Sequence, residues 1–231
     1  MGAGLTQPVP LVTVVIPVLD RERFIAAAIR SVLDQDYPSV EVIVVDGGSE
    51  DETPSIARSF PVHYIQQTDA GVTTSKNAGL AAAKGEFISF FDSDDVMMQD
   101  KLSSQVGFLV DHPETDGVLA RHELLIEPGT EEPDWLSKDP VFGDPGGVDP
   151  ISAVYRKSAL DSVGGFDTSF HMAEGMELLG RMREAGLVIS VLDQIVYQRR
   201  IHGSNVSRDR RAMGSALLQS LKGHIDRGKQ T

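Results

Sequence analysis

The sequence predicts an α/β protein with a mostly parallel central sheet flanked by helices. Three observations carry this reading. Strand-like apolar runs alternate with helix-like patterns along the chain. The runs VTVVIPV (12–18), VEVIVV (40–45) and EFISFF (86–91) are almost wholly apolar, as in parallel strands covered on both faces. Each of the three leads into a polar, turn-rich segment.

The elements follow in order. After the first strand, Phe24, Ala28, Val32 and Ile25, Ile29, Leu33 recur every four residues, which predicts a helix. Tyr37-Pro38 stops it, because the residue before a proline avoids helical geometry. The second strand, 40–45, runs into DGGSEDETP, where Thr53 is placed to cap a helix with Pro54 at its first position. A short strand is expected at 62–65, and a helix over 74–84 closed by Gly85. The strand at 86–91 precedes a helix marked by Leu102, Val106 and Leu109. Residues 116–127 read as strand, 164–167 (GGFD) as a turn, 174–185 as a helix ending at Gly186, and 187–197 as strand. Between them, 128–147 is rich in proline and glycine, the mark of a functional or disordered loop. Trp135 in that loop either anchors it or stacks on a ligand ring.

Composition narrows the class. The chain has 231 residues, 41% hydrophobic and 24% charged, which is ordinary for a globular domain. No apolar run approaches the roughly 18 residues of a membrane span. The N-terminus lacks a basic start and apolar core, so no secretory signal is expected and a cytoplasmic location is the default. Cysteine is absent, which excludes thiolate metal sites and disulfides. A formal net charge of -13 argues against nucleic acid as a partner. The bases cluster from Arg199 onward, so an acidic body ends in a basic tail. That tail is either a solvated helix or a segment folding over an anionic ligand.

The stretch FDSDD (91–95) sets three carboxylates within four positions, where each raises the pKa of the others. If the three apolar strands are parallel, IPVLDRE (16–22), VDGGSEDET (45–53) and FDSDD meet at one sheet edge, where open α/β sheets bind ligands. A hard divalent cation between Asp92 and Asp94 would relieve the repulsion, with a diphosphate completing its shell. The plainer alternative is that Asp94 or Asp95 caps the next helix. Asp46 could take hydrogen bonds from a base or ribose, or cap a turn, and Gly47-Gly48 allows close backbone approach. Glu50, Asp51 and Glu52 read as solvated charges at a helix start. Other nucleotide folds fit poorly. There is no G-x-x-x-x-G-K-[ST] phosphate loop, and PVLDRER (17–23) stands where a dinucleotide G-x-G-x-x-G would be. A sugar nucleotidyltransferase would carry a glycine-rich basic N-terminal loop, and an aspartyl-phosphate phosphatase a threonine where Val96 stands.

Two long blocks, VTVVIPVLDRERFIAAAIRSVLDQDYPSVEVIVVDGGSEDET and DAGVTTSKNAGLAAAKGEFISFFDSDD, followed by GGFD and RRIHGSNVS, resemble the family 2 glycosyltransferases of the GT-A fold. The resemblance spans roughly residues 11–207. It implies one GT-A domain, with a nucleotide-binding half (11–100), an acceptor and catalytic half (101–207) and a basic helical tail (208–231). It further implies sugar transfer from a nucleotide-sugar donor, usually with inversion and with Mn²⁺ or Mg²⁺; UDP is the family's commonest donor nucleotide. By position, Pro17, Val18, Asp20 and Glu22 would line the nucleoside pocket, and Asp46 would bind the base. Lys76 stands where the family usually has arginine, keeping the charge but not the bidentate fork. Asp92 and Ser93 fall with the nucleotide set, Asp92 facing ribose or metal. Asp94 would be the main metal ligand, with His202 completing the metal or diphosphate site. The acceptor would be a glycan, a lipid-linked sugar or a polypeptide.

The family pattern breaks at the general base, which deprotonates the attacking hydroxyl. After GGFD the family carries a Glu-Asp pair; here Glu174 matches the first acid and Gly175 replaces the second. Glu174 or Glu177, three apart on one helix face, is then the expected base. The alternatives are an acceptor needing no strong base, or a chain that binds donor without turnover and gains activity if aspartate is restored at 175.

Overall fold

The computed structural model describes residues 9–68, 71–130, 147–170 and 172–205, with six further positions between 214 and 223. Among the described residues, one eight-stranded sheet has the order β3-β2-β1-β4-β7-β6-β8-β5. Strands β1 (Val12–Val18), β2 (Val40–Asp46), β3 (His63–Gln66) and β4 (Phe87–Phe90) are mutually parallel. Their carboxyl ends therefore share an edge, as the apolar runs predicted. The other half is mixed. β7 (Val154–Arg156) runs antiparallel to β4 and to β6 (Gly117–Ile126), β8 (Ile189–Ile201) lies parallel to β6, and β5 (Val96–Met97) antiparallel to β8.

The sheet carries a core on each face. Along β1, Val12, Val14, Ile16 and Val18 point to one face and Val15 to the other, as the period of two requires. The first face packs α1 (Ile25–Leu33), α2 (Thr53–Arg58) and α4 (Lys101–Asp111) through residues such as Ile29, Ala57 and Leu102. The second packs α3 (Val72–Ala82), α5 (Lys157–Ser162) and α6 (Glu174–Glu184) through Leu80, Leu160 and Leu178.

Several boundaries differ from the sequence reading. α3 ends at Ala82, and Gly85 does not close it. Gly85 instead presses on β1, where a Cβ would lie 2.5 Å from the Thr13 backbone nitrogen. Thr53 is the first residue of α2 rather than its cap. The expected strand at 187–197 continues to Ile201, so Arg199 and Arg200 belong to β8 and not to a tail. β5, β7, α5 and a 3-10 turn at Pro150–Ser152 had no sequence signal strong enough to place them. The loop segment with Trp135 and most of 208–231 lie outside the described residues. No helix among those described is long and apolar enough to cross a membrane.

Lys101, at the start of α4, is fully buried. Its ammonium donates to Gln105 and to Ser152 O, at 2.8 Å for the latter. Burial pulls its pKa down to about 7 from an ordinary 10.5. Below pH 7 the folded protein carries the full cost of that buried charge. Between 7 and 10.5 the unfolded chain binds the proton and the folded one does not, so stability rises with pH. We expect Lys101→Met to remove a rise of up to about 1.4 kcal/mol per pH unit across that window. Gln105 Nε2 still donates to Ser152 O at 2.9 Å, so the carbonyl keeps a partner. Urea unfolding of both proteins at pH 7 and pH 9 checks this; equal slopes would refute it.

Candidate active site

The loops after β1 and β2 are joined by backbone-to-side-chain hydrogen bonds. Asp20 adopts a left-handed φ of 50°. Its N–H donates to Ser49 Oγ at 2.9 Å, and its Oδ1 accepts the Glu50 N–H at 2.9 Å. The Arg21 N–H donates to Thr53 Oγ1 (2.8 Å), and the Glu22 N–H to Asp51 Oδ2 (3.0 Å). Glu22 Oε2 accepts the Glu52 N–H at 3.1 Å. Asp51, which the sequence left without a role, thus holds Glu22 and, through Oδ1, the Thr53 N–H at 2.9 Å. Pro17 and Val18 are buried at the end of β1.

Asp46 is fully buried at the end of β2. Its Oδ1 accepts the N–H groups of Gly48 (3.0 Å) and Ser49 (2.7 Å), and its Oδ2 the Tyr64 hydroxyl (2.7 Å). Burial by itself would raise its pKa, but the hydrogen bonds from Tyr64, Ser49 and Gly48 hold the carboxyl below its ordinary range. The turn it fixes carries Gly48 at φ 110°.

The third loop follows β4. Carboxylate oxygens of Asp92, Asp94 and Asp95 lie within 4.8 Å of one another. Neither Asp94 nor Asp95 caps α4, whose N-cap is Asp100. Burial raises Asp92 to about 7; Lys76 draws it down, while Asp94, Glu174 and Asp149 push it further up. Asp95 is 3% exposed and rises well above the ordinary range for the same reasons, burial first and then Asp92 and Asp94. Ser93 is buried between them. Three hard oxygen donors, held together at a cost in repulsion, suit a divalent cation such as Mg²⁺ or Mn²⁺.

Basic side chains surround this loop. His202 Nε2 is 3.0 Å from Asp94 Oδ2, and Arg21 Nε is 3.6 Å from the same oxygen. The Ser204 N–H donates to His202 Nδ1 at 3.2 Å, which assigns the ring proton to Nε2 and makes His202 a donor to Asp94. The His202 ring stacks on Phe24 with centroids 4.5 Å apart. Arg200 donates its N–H to Asp95 Oδ1 (2.8 Å) and its Nε–H to Asp94 O (2.7 Å), and pairs with Glu127. Beside His202 opens a cleft of about 410 Å³ lined by Arg23, Glu127, Gly129 and Thr130. The bases at 199–200 thus fold against the protein's own acids, and not as a solvated helix.

The structure separates the two candidate glutamates. Glu174 Oε1 accepts from Lys76 Nζ at 2.7 Å, and Lys76 is 3% exposed. Burial would lower the lysine pKa, yet Glu174 and Asp92 raise it, so Lys76 stays charged. Glu177 is 1% exposed, with both oxygens on Arg181 Nε at 2.8 and 2.9 Å. Arg181 in turn donates to Val163 O and Gly165 O, so Glu177 braces the GGFD turn.

Sequence reasoning missed four positions. Asn77 pins Phe166 from both sides, donating to its carbonyl and accepting its N–H, each at 2.8 Å. Arg21 and Asp95 join the acidic loop, and Asp149 reaches it from the 3-10 turn. Asn77 was visible as the residue following Lys76 in the family motif; Asp149 lay beside an uninterpretable loop.

A sheet of this topology, with an acidic loop at the carboxyl edge of its parallel half, defines a nucleotide-diphosphosugar type of α/β fold. Residues 13–143 match the model of glycosyl transferase family 2, and the chain belongs to that family. It is 36% identical over 102 residues to an uncharacterized glycosyltransferase of Rickettsia prowazekii, covering 43% of this chain and 32% of that protein. It is 31% identical over 106 residues to glycosyltransferase GlyA of Streptococcus pneumoniae, covering 44% and 15%. The chain therefore spans a third or less of these relatives. Among solved structures, the mannosyltransferase PcManGT of Pyrobaculum calidifontis, in complex with GDP-Man and Mn²⁺, superposes with a TM-score of 0.73 at 24% identity, over 94% of this chain and 64% of that one. The likeness establishes the GT-A fold.

Proposed function

We propose that this chain transfers a sugar from a nucleotide-sugar donor to an acceptor hydroxyl, with inversion and with the aid of Mn²⁺ or Mg²⁺. The observation that carries the reading is the meeting of three strand-end loops around Asp92, Asp94 and Asp95. The complexes of PcManGT with GDP-Man and Mn²⁺, and of S. aureus TarS with UDP-GlcNAc, support it for the fold.

Pro17, Val18, Asp20 and Glu22 form the nucleoside side of the pocket. Asp46, fully buried, shapes the base side of the pocket through the Gly47–Ser49 turn it fixes. Asp92 and Asp94, with Asp95 adjoining, would hold the cation, and Ser93 lies among them. When bound, the cation neutralises charge on the departing diphosphate. His202 orients Asp94 through Nε2, and Arg21 stands ready to contact phosphate oxygens. Lys76, committed to Glu174, adds a fixed positive charge near the donor.

A donor screen tests this. Purified protein is titrated with UDP-glucose, UDP-N-acetylglucosamine and GDP-mannose, with and without Mn²⁺, reading thermal shift and nucleoside diphosphate release. At least one donor is expected to stabilise the protein only with the metal present. No metal-dependent shift with any nucleotide would overturn the reading.

A further inference from the structure

Gly175 is small for a steric reason. A Cβ there would lie 2.6 Å from Cβ of Pro150, a ring carbon fixed to its own backbone. The acid missing from 175 is thus excluded by the 3-10 turn that packs against the start of α6, and restoring aspartate there would force the two elements apart. The residue just before that proline is Asp149. The geometry points to Asp149 as the general base that takes the acceptor's proton, an assignment that rests on the glycosyl-transfer reading above.

Topology brings Asp149 to the right place. β7 runs antiparallel to β4 with Val154 opposite Ser89, so the turn leading into β7 lies at the same end of the sheet as Asp92. Its charge acts on both Lys76 and Asp92. The side chain is held in one orientation. Oδ1 accepts the Ile151 N–H at 3.0 Å, and Oδ2 lies 3.3 Å from Arg199 Nη1. The backbone is fixed too, since Ser152 Oγ donates to Asp149 O at 2.6 Å and itself accepts the Ala120 N–H at 2.9 Å. With 24% of its side chain exposed, Asp149 can receive a proton from an acceptor and pass it to water. Glu174 is placed less well for this task. It is bound at 2.7 Å to a buried ammonium that would otherwise lose its nearest counter-charge.

The step balances within the two substrates. The acceptor O–H bond breaks and its proton passes to the Asp149 carboxylate. The oxygen's electron pair forms the new bond to the anomeric carbon. The bond from that carbon to the diphosphate oxygen breaks, and its pair leaves on the nucleoside diphosphate.

The experiment compares wild type, Asp149→Asn, Asp149→Glu and Gly175→Asp in the full chain with Mn²⁺ and the donors of the screen, with water and methyl glycosides as acceptors. Asp149→Asn can keep the Ile151 hydrogen bond. It is expected to stay folded with a lower unfolding temperature, because Arg199 loses its counter-charge, to bind donor within about threefold of wild type, and to release nucleoside diphosphate about 100-fold more slowly or worse. Asp149→Glu should recover part of that loss. Gly175→Asp should unfold at lower temperature without faster release. Asp149→Asn turning over within about threefold of wild type overturns the assignment while leaving the transferase reading intact. A wild type that binds donor with Mn²⁺ yet releases nothing overturns both, since there is then no transfer for Asp149 to serve. A wild type with no metal-dependent nucleotide binding overturns both.

Discussion

Asp94→Ala is expected to abolish Mn²⁺-stimulated nucleotide binding and to lower turnover by roughly 10³-fold or more, since a bound cation's charge stabilisation is worth several kcal/mol and each ~1.4 kcal/mol is a factor of ten. Asp94 is the residue on which the neighbouring charges converge. Its Oδ2 meets both His202 and Arg21, and its carboxylate is packed against those of Asp92 and Asp95. The fold should survive, because deleting one of three crowded carboxylates relieves repulsion that adds to the burial raising the other two. Isothermal titration of UDP with and without Mn²⁺, beside a thermal melt, separates these effects. Retention of wild-type metal dependence would show that the cation, if any, binds elsewhere.

The second large effect is on stability. Glu174→Ala leaves Lys76, 3% exposed, without the carboxylate at 2.7 Å. Removing one partner of a buried pair commonly costs about 3 kcal/mol or more, because the remaining charge stays desolvated. Asp92 also faces Lys76 and would soften the loss. Replacing both residues together, Lys76→Met with Glu174→Met, is expected to cost far less than Glu174→Ala alone. Urea titrations of the two variants decide the matter. A double variant at least as unstable as the single one would mean that Lys76 is held by something other than this pair.

The parallel half of the fold was legible because burial on both faces leaves an unbroken apolar run, and three such runs sit at residues 12–18, 40–45 and 86–91. The second half was not. β7 has three residues and β5 two, too short for any periodicity, and both exist only through partners far along the chain. The acidic loop could be found from its charge density, and its companions from their positions after strands. Its counter-charges could not. Arg199 and Arg200 read as the start of a basic tail, since nothing local shows that β8 extends to Ile201 and returns them to Asp149 and Asp95; His202 was placed at the acidic loop only through the family resemblance. Glu177 lies one turn along the same helix from Glu174, and nothing local showed that Arg181 would bind both its oxygens.

The reciprocal bonds between residues 20–22 and 49–53 bear on how donor preference could be redesigned. Swapping in the first segment from a relative, without the second, would strand amide hydrogens on one side and acceptor oxygens on the other. The pair is therefore a single cassette split across thirty residues of chain, and a library that shuffles its pieces independently would consist mostly of unfolded pockets.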